Sequence, residues 1–199
     1  MCISSALPLE GKTLITVVMA TVIASELKRV LIIDGDLRRP RIHEVFKSKN
    51  ESPGLSDLIT GKCVDVKEAV HRSPVPGVFY MTSGSHSDNP VALLKTERMQ
   101  NILDECRKDY DFIILDAPPI LGLVDASIIS GYADGLILVT KSGHTPLDVL
   151  IQAKESVFRG RGRLLGIVIN MAEHKSSGSR YYYNYRYNRY YNRTEARSA

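Results

Sequence analysis

Ser4-Ser5-Ala6-Leu7-Pro8-Leu9-Glu10-Gly11-Lys12-Thr13 follows a short apolar start, Met1 to Ile3, and leads into an apolar run from Leu14 to Leu27. A short strand, a turn and a helix in that order are what a phosphate-binding loop needs. Backbone N–H groups of the turn and of the helix's first turn point at the ligand, and the helix dipole adds to the attraction. Lys12 would then reach the β- and γ-phosphates, and the Thr13 hydroxyl would ligate Mg²⁺. Against the pattern G-x-x-x-x-G-K-[ST], Gly11, Lys12 and Thr13 fit, while Ala6 stands where the first glycine is expected. The competing reading of the loop alone is a Gly-Lys-Thr helix start that holds no ligand.

Outward from the loop, apolar runs alternate with amphipathic ones. Arg29 to Ile33 reads as a parallel strand buried on both faces, and Gly77 to Met81, Phe112 to Leu115, Leu136 to Thr140 and Leu164 to Ile169 read as further strands. Between them, helices are predicted over Pro40 to Phe46, Leu55 to Thr60 (closed by Gly61), Val64 to His71, a long stretch from Asn89-Pro90 to about Cys106, Asp125 to Ser130, and Pro146 to Phe158. Strands alternating with helices imply a mainly parallel sheet covered on both faces, an α/β fold of the P-loop NTPase kind.

The chain has 199 residues, room for one well-cored domain and a tail. Its longest apolar run, Leu14 to Ala24, is broken by Thr16 and Thr21 and suits a buried helix better than a membrane span. Cys2, Cys63 and Cys106 are odd in number and widely spaced, which fits a reducing compartment and not a metal or disulfide framework. Net charge is +4, and the excess sits at the end: six basic residues and one acid from His174 to Ala199 leave 20 and 21 before it. There, after the spacer Ser176-Ser177-Gly178-Ser179, Tyr181, Tyr182, Tyr183, Tyr185, Tyr187, Tyr190 and Tyr191 gather seven of the ten tyrosines. No helix or strand period sorts that segment into faces. The expected organisation is therefore a P-loop domain over 1–173 and a disordered tail over 174–199.

Two acidic clusters end strands. Asp34-Gly35-Asp36-Leu37-Arg38 follows the second, and Asp116-Ala117-Pro118-Pro119 follows the Phe112 run. In an open α/β sheet the ligand lies outside the carboxyl ends of the strands, so both clusters fall on the phosphate loop's edge. Mg²⁺ is bound through one or two carboxylates plus substrate phosphates, leaving one acid over as a general base. Asp125, at the head of a predicted helix, reads equally well as a helix N-cap.

This combination resembles the bacterial tyrosine kinases (BY-kinases), relatives of the ParA/MinD ATPases. The phosphate loop resembles their Walker A from Ala6 to Thr13, including Pro8 and Glu10; Leu31 to Arg38 resembles their Walker A′, and Ile113 to Pro119 their Walker B. Weaker matches are Gly54 to Leu58, Asn89-Pro90, Ala133 to Gly135 and Gly166 to Asn170, and the tyrosine cluster resembles the family's C-terminus. The resemblance implies an ATP- and Mg²⁺-dependent tyrosine autokinase of capsule or exopolysaccharide export. Lys12 and Thr13 would hold phosphate and metal, with Asp36 and Asp116 completing the metal site. Asp34 would accept the tyrosine proton, Asp34 and Asp36 being interchangeable in that role. Arg38 would contact phosphate or an adjacent subunit, and Asn170 would read adenine. It further implies a ring of subunits, a membrane-anchored polysaccharide co-polymerase as activator at the inner face of the plasma membrane, and a cognate tyrosine phosphatase. The family's upstream acidic-arginine helix and fused activator are absent from this sequence, so the chain is expected to be a fragment or to find its activator in a separate polypeptide.

Leu9 stands where the family commonly has glycine, and Val18 where these ATPases usually have Asn. Leu7 replaces the signature lysine of ParA/MinD ATPases, which argues against the second reading, a positioning ATPase. A third reading takes the Tyr/Arg tail as a nucleic-acid contact. The near-neutral core argues against a large nucleic-acid footprint, so none is expected.

Overall fold

The computed structural model describes residues 1–49 and 53–172. Seven strands form one sheet in the order β3-β4-β2-β5-β1-β6-β7. They are β1 (Cys2–Ser5), β2 (Val30–Asp34), β3 (Val70–Arg72), β4 (Val78–Met81), β5 (Phe112–Asp116), β6 (Leu136–Lys141) and β7 (Leu164–Asn170). Every neighbouring pair is parallel except β3 with β4.

The pleat sends alternate residues to opposite layers. Ile3, Ile32, Ile114 and Val139 pack with Ala20 and Ala24 of α1 (Lys12–Ala24) and with Ile42 of α2 (Ile42–Val45). Leu31, Ile33, Leu115 and Leu138 face the other layer. That layer holds α3 (Leu55–Thr60), α4 (Val66–Ala69), α5 (Pro90–Leu94), α6 (Glu97–Asp109), α7 (Asp125–Gly131) and α8 (Leu147–Arg159). β2 is buried at all five positions, which is why it reads as a continuous apolar run and not an alternating one. The α/β architecture with a mainly parallel sheet is the one expected.

Two elements differ from expectation. The helix predicted over Val64 to His71 is only α4, after which the chain extends as β3. His71 pairs opposite Tyr80 of β4, with ring centroids 5.3 Å apart. Val70 thereby gains an edge pairing that helix periodicity could not reveal. The long helix from Asn89 is two helices. It is broken at Thr96, whose backbone is extended (φ −74°, ψ 149°). Leu94 and Met99 are both fully buried; five residues apart, they would diverge by about 140° around an unbroken helix. The break turns both inward. The tyrosine cluster and the boundary at 173/174 lie outside the described residues.

Candidate active site

β1 runs in the middle of the sheet between β5 and β6, so its carboxyl end opens at the centre of that edge. The loop that follows is held by its own side chains. Ser5 Oγ donates to the Leu7 carbonyl at 2.6 Å, and the Leu7 N–H donates to Glu10 Oε2 at 2.6 Å. Glu10 Oε1 accepts from the Lys141 N–H at 3.2 Å and from the Thr145 hydroxyl. Glu10, expected among the phosphate-binding residues, is thus buried with both oxygens turned to protein. Its motif position is that of a brace between the loop and the β6–α8 connection. Ala6 is fully buried in the core, so its methyl group occupies protein interior where a glycine was expected. Pro8 is exposed at the turn.

Gly11 caps α1 in the left-handed region (φ 87°). A Cβ there would fall 2.2 Å from Asn170 Nδ2. Asn170, at the end of β7, donates from that nitrogen to the Glu10 carbonyl at 2.9 Å. The last strand therefore clamps the first loop, its partners lying 160 positions apart in the sequence.

Lys12 opens α1 and meets both acidic clusters. Its Nζ lies 3.4 Å from Asp36 Oδ2 and 3.4 Å from Asp116 Oδ2, with only 12% of the side chain exposed. Burial lowers its pKa, but Asp116, Asp36 and Asp34 outweigh that and hold it above the ordinary lysine value. Thr13 Oγ1 donates to Asp116 Oδ2 at 2.7 Å, and Thr16 Oγ1 donates to Asp116 Oδ1 at 3.1 Å. Asp116 is fully buried, and desolvation raises its pKa against the pull of Lys12 and the two threonines. Thr16 is a site residue that sequence reasoning passed over as a break in an apolar run. Its signal was one helical turn of spacing from Lys12.

Asp34 ends β2, fully buried. Oδ2 accepts the N–H groups of Arg41 and Ile42, each at 2.9 Å, and Oδ1 accepts that of Asp36 at 3.2 Å. Desolvation and the nearby Asp116 carboxylate push its pKa up to about 7, opposed by those N–H groups and Lys12. Asp36 points one oxygen at Lys12 and takes the Arg39 N–H on the other, at 3.0 Å. Arg38 turns away from this group, placing Nε 2.9 Å and Nη2 3.4 Å from the oxygens of Asp125. Asp125 lies inside α7 as its first residue and does not cap it.

Two carboxylates, Asp36 and Asp116, thus face one buried ammonium with the Thr13 hydroxyl beside them, and Asp34 lies behind them on backbone N–H groups. Residues 10–157 match the AAA domain family. The tyrosine-protein kinase YwqD of Bacillus subtilis is 36% identical over 179 residues, covering 88% of this chain and 75% of that protein. The chain belongs to the bacterial tyrosine kinases. The putative tyrosine-protein kinase EpsB of Ralstonia solanacearum is 34% identical over 180 residues, which is 90% of this chain but 24% of that protein. The kinase therefore spans three quarters of one relative and about a quarter of another. The kinase domain of the Escherichia coli tyrosine kinase ETK superposes on it with a TM-score of 0.80 at 30% identity, covering 89% of this kinase and 70% of that chain.

Proposed function

We propose that this kinase domain transfers the γ-phosphoryl group of ATP to tyrosine hydroxyls in capsular or exopolysaccharide synthesis. The acceptors are Tyr181, Tyr182, Tyr183, Tyr185, Tyr187, Tyr190 and Tyr191 of its own C-terminal segment. The observation that carries the reading is Lys12 set between Asp36 and Asp116 with Thr13 on the latter, at the carboxyl ends of β1, β2 and β5. These residues fit Mg²⁺ and nucleotide: the two buried acids beside Lys12, Asp36 and Asp116, exceed its single positive charge, a deficit that a divalent cation fills. Among the described residues no cage of three or more His, Cys, Asp or Glu exists. The donor set is then the Thr13 hydroxyl with Asp36 and Asp116, as suits a cation that keeps waters and shares phosphate oxygens. When bound, the ion would neutralise charge on the transferring group.

The chain's own residues do the rest. Lys12 supplies a positive charge where the β- and γ-phosphates would lie, and Gly11 lets the backbone approach them. Asn170, which donates one amide N–H to the Glu10 carbonyl, keeps a second N–H and its carbonyl oxygen with which it would read adenine. As the tyrosine oxygen bonds to phosphorus and the bridge to ADP breaks, the hydroxyl proton passes to Asp34 or Asp36. Asp34 is held in place by the N–H groups of Asp36, Arg41 and Ile42. Asp36 is the one already beside Lys12. The partners that support such a domain are further copies in a ring, a membrane-anchored polysaccharide co-polymerase that activates it at the inner membrane face, and a phosphatase that resets it. None of the described helices is long and apolar enough to cross a membrane.

Incubation with Mg·ATP and detection of phosphotyrosine tests the reading. Wild type should label and Lys12→Met should not; ATP hydrolysis without phosphotyrosine would replace the kinase reading by an ATPase one.

A further inference from the structure

The pair formed by Arg38 and Asp125 is explained neither by the phosphate loop nor by the two acid clusters. The Asp125 side chain is 2% exposed, and among the described residues its carboxylate meets only Arg38. A buried carboxylate with a single partner depends on that partner, and a guanidinium fork fixes direction as well as distance. Arg38 sits two residues past Asp36, in the loop that joins β2 to α2. The same loop presses on α7 a second time. A Cβ at Gly35 would lie 3.0 Å from Ile129 Cδ1 and 3.2 Å from the Asp116 carbonyl. The Gly35 N–H donates to that carbonyl at 2.9 Å. Between these two anchor points lies Asp36, whose carboxylate is aimed by its bond to the Arg39 N–H.

We infer that Asp125 is a positioning residue of the phosphoryl-transfer site. Through Arg38 it pins the loop from Gly35 to Arg41 on α7, and so sets the direction in which Asp36 faces Lys12. Asp125 itself touches neither nucleotide nor tyrosine. The inference rests on the kinase reading above, and it assigns the inner edge of Arg38 to the protein itself, leaving its other N–H groups at the half-exposed surface.

The test uses Asp125→Asn, Arg38→Gln and the double variant in the full chain. Asp125→Asn should lower kcat for tyrosine phosphorylation by about tenfold and leave KM for Mg·ATP within about twofold. The double variant should fall no further than the worse single one, because both act through one contact. Losses that multiply, or a rise in KM with kcat unchanged, would overturn the assignment. Amide hydrogen exchange reads the loop without activity. The N–H groups of Arg39, Arg41 and Ile42 should exchange about tenfold faster in each variant, with α6 unaffected; unchanged exchange there also overturns it. Should Asp125→Asn not fold, Asp125→Glu keeps the charge, moves the fork by one methylene, and should show the same split between kcat and KM. A wild type that makes no phosphotyrosine would defeat the kinase reading, while the exchange measurement still decides the role of Asp125.

Discussion

Leu9 occupies the left-handed region at φ 64° with 88% of its surface exposed. The conformation costs a non-glycine residue roughly 1–2 kcal/mol, and a side chain so exposed recovers little of that by packing. Leu9→Gly should therefore stabilise the domain by about 0.5–1 kcal/mol in a urea titration, the entropy of glycine offsetting part of the relief. A lower midpoint would show that the leucine makes a contact worth more than its strain. Gly11→Ala should go the other way, since its methyl group meets Asn170 as well as the wrong φ. Asn170→Ala in the same chain should restore only part of the loss. The cysteines make a third expectation. Burial pushes the thiols of Cys2 and Cys106 up to about 12, so at pH 8 the native protein holds them as thiols. A chromogenic disulfide reagent should label them at the rate of unfolding, and rapid labelling of either would contradict their placement.

Among the elements, the β6–α8 connection matters to the loop more than its position in the chain suggests. Glu10→Gln would set an amide nitrogen against either the Leu7 or the Lys141 N–H, leaving a buried donor unpaired. The expected loss is about 1–3 kcal/mol by thermal unfolding, with weaker nucleotide binding in proportion. No loss would mean that Thr145 and Lys141 re-pair elsewhere. This brace also shows what was legible in advance and what was not. The α1, β2, β5 and β6 segments announced themselves because each is a local apolar period, and the acids Asp34, Asp36 and Asp116 followed from where strands end. The break at Thr96 and the edge strand at Val70 depend on which neighbours bury Met99 and pair Tyr80, and no window of sequence contains those neighbours. The partners of Glu10 and Arg38 are hidden for the same reason: Thr145 lies 135 residues from Glu10, and Asp125 87 residues from Arg38. Motif membership placed both residues at the site without saying what their side chains hold.

For the molecule as a whole, charge offers a control. The last 26 residues carry six basic side chains and one acid. Each tyrosine phosphate adds about −1.5 to −2 at neutral pH, so three or four reverse the sign of the segment. If the unmodified segment reaches into a neighbouring copy's site, light scattering should find a smaller mass after phosphorylation than after phosphatase treatment. Identical masses would remove the ring from the proposal. The order of the strands has a different consequence. β1 precedes in the chain both strands that flank it, β5 and β6, with Cys2 opposite both Leu115 and Leu136. A nascent chain exposes that strand until more than a hundred residues of later sequence have appeared, and pairing at such separation is slow. The phosphate loop, though it precedes both acidic clusters in the sequence, is thus among the last parts of the described domain to become competent, and a chain halted before β6 should have an open sheet edge and no grip on nucleotide.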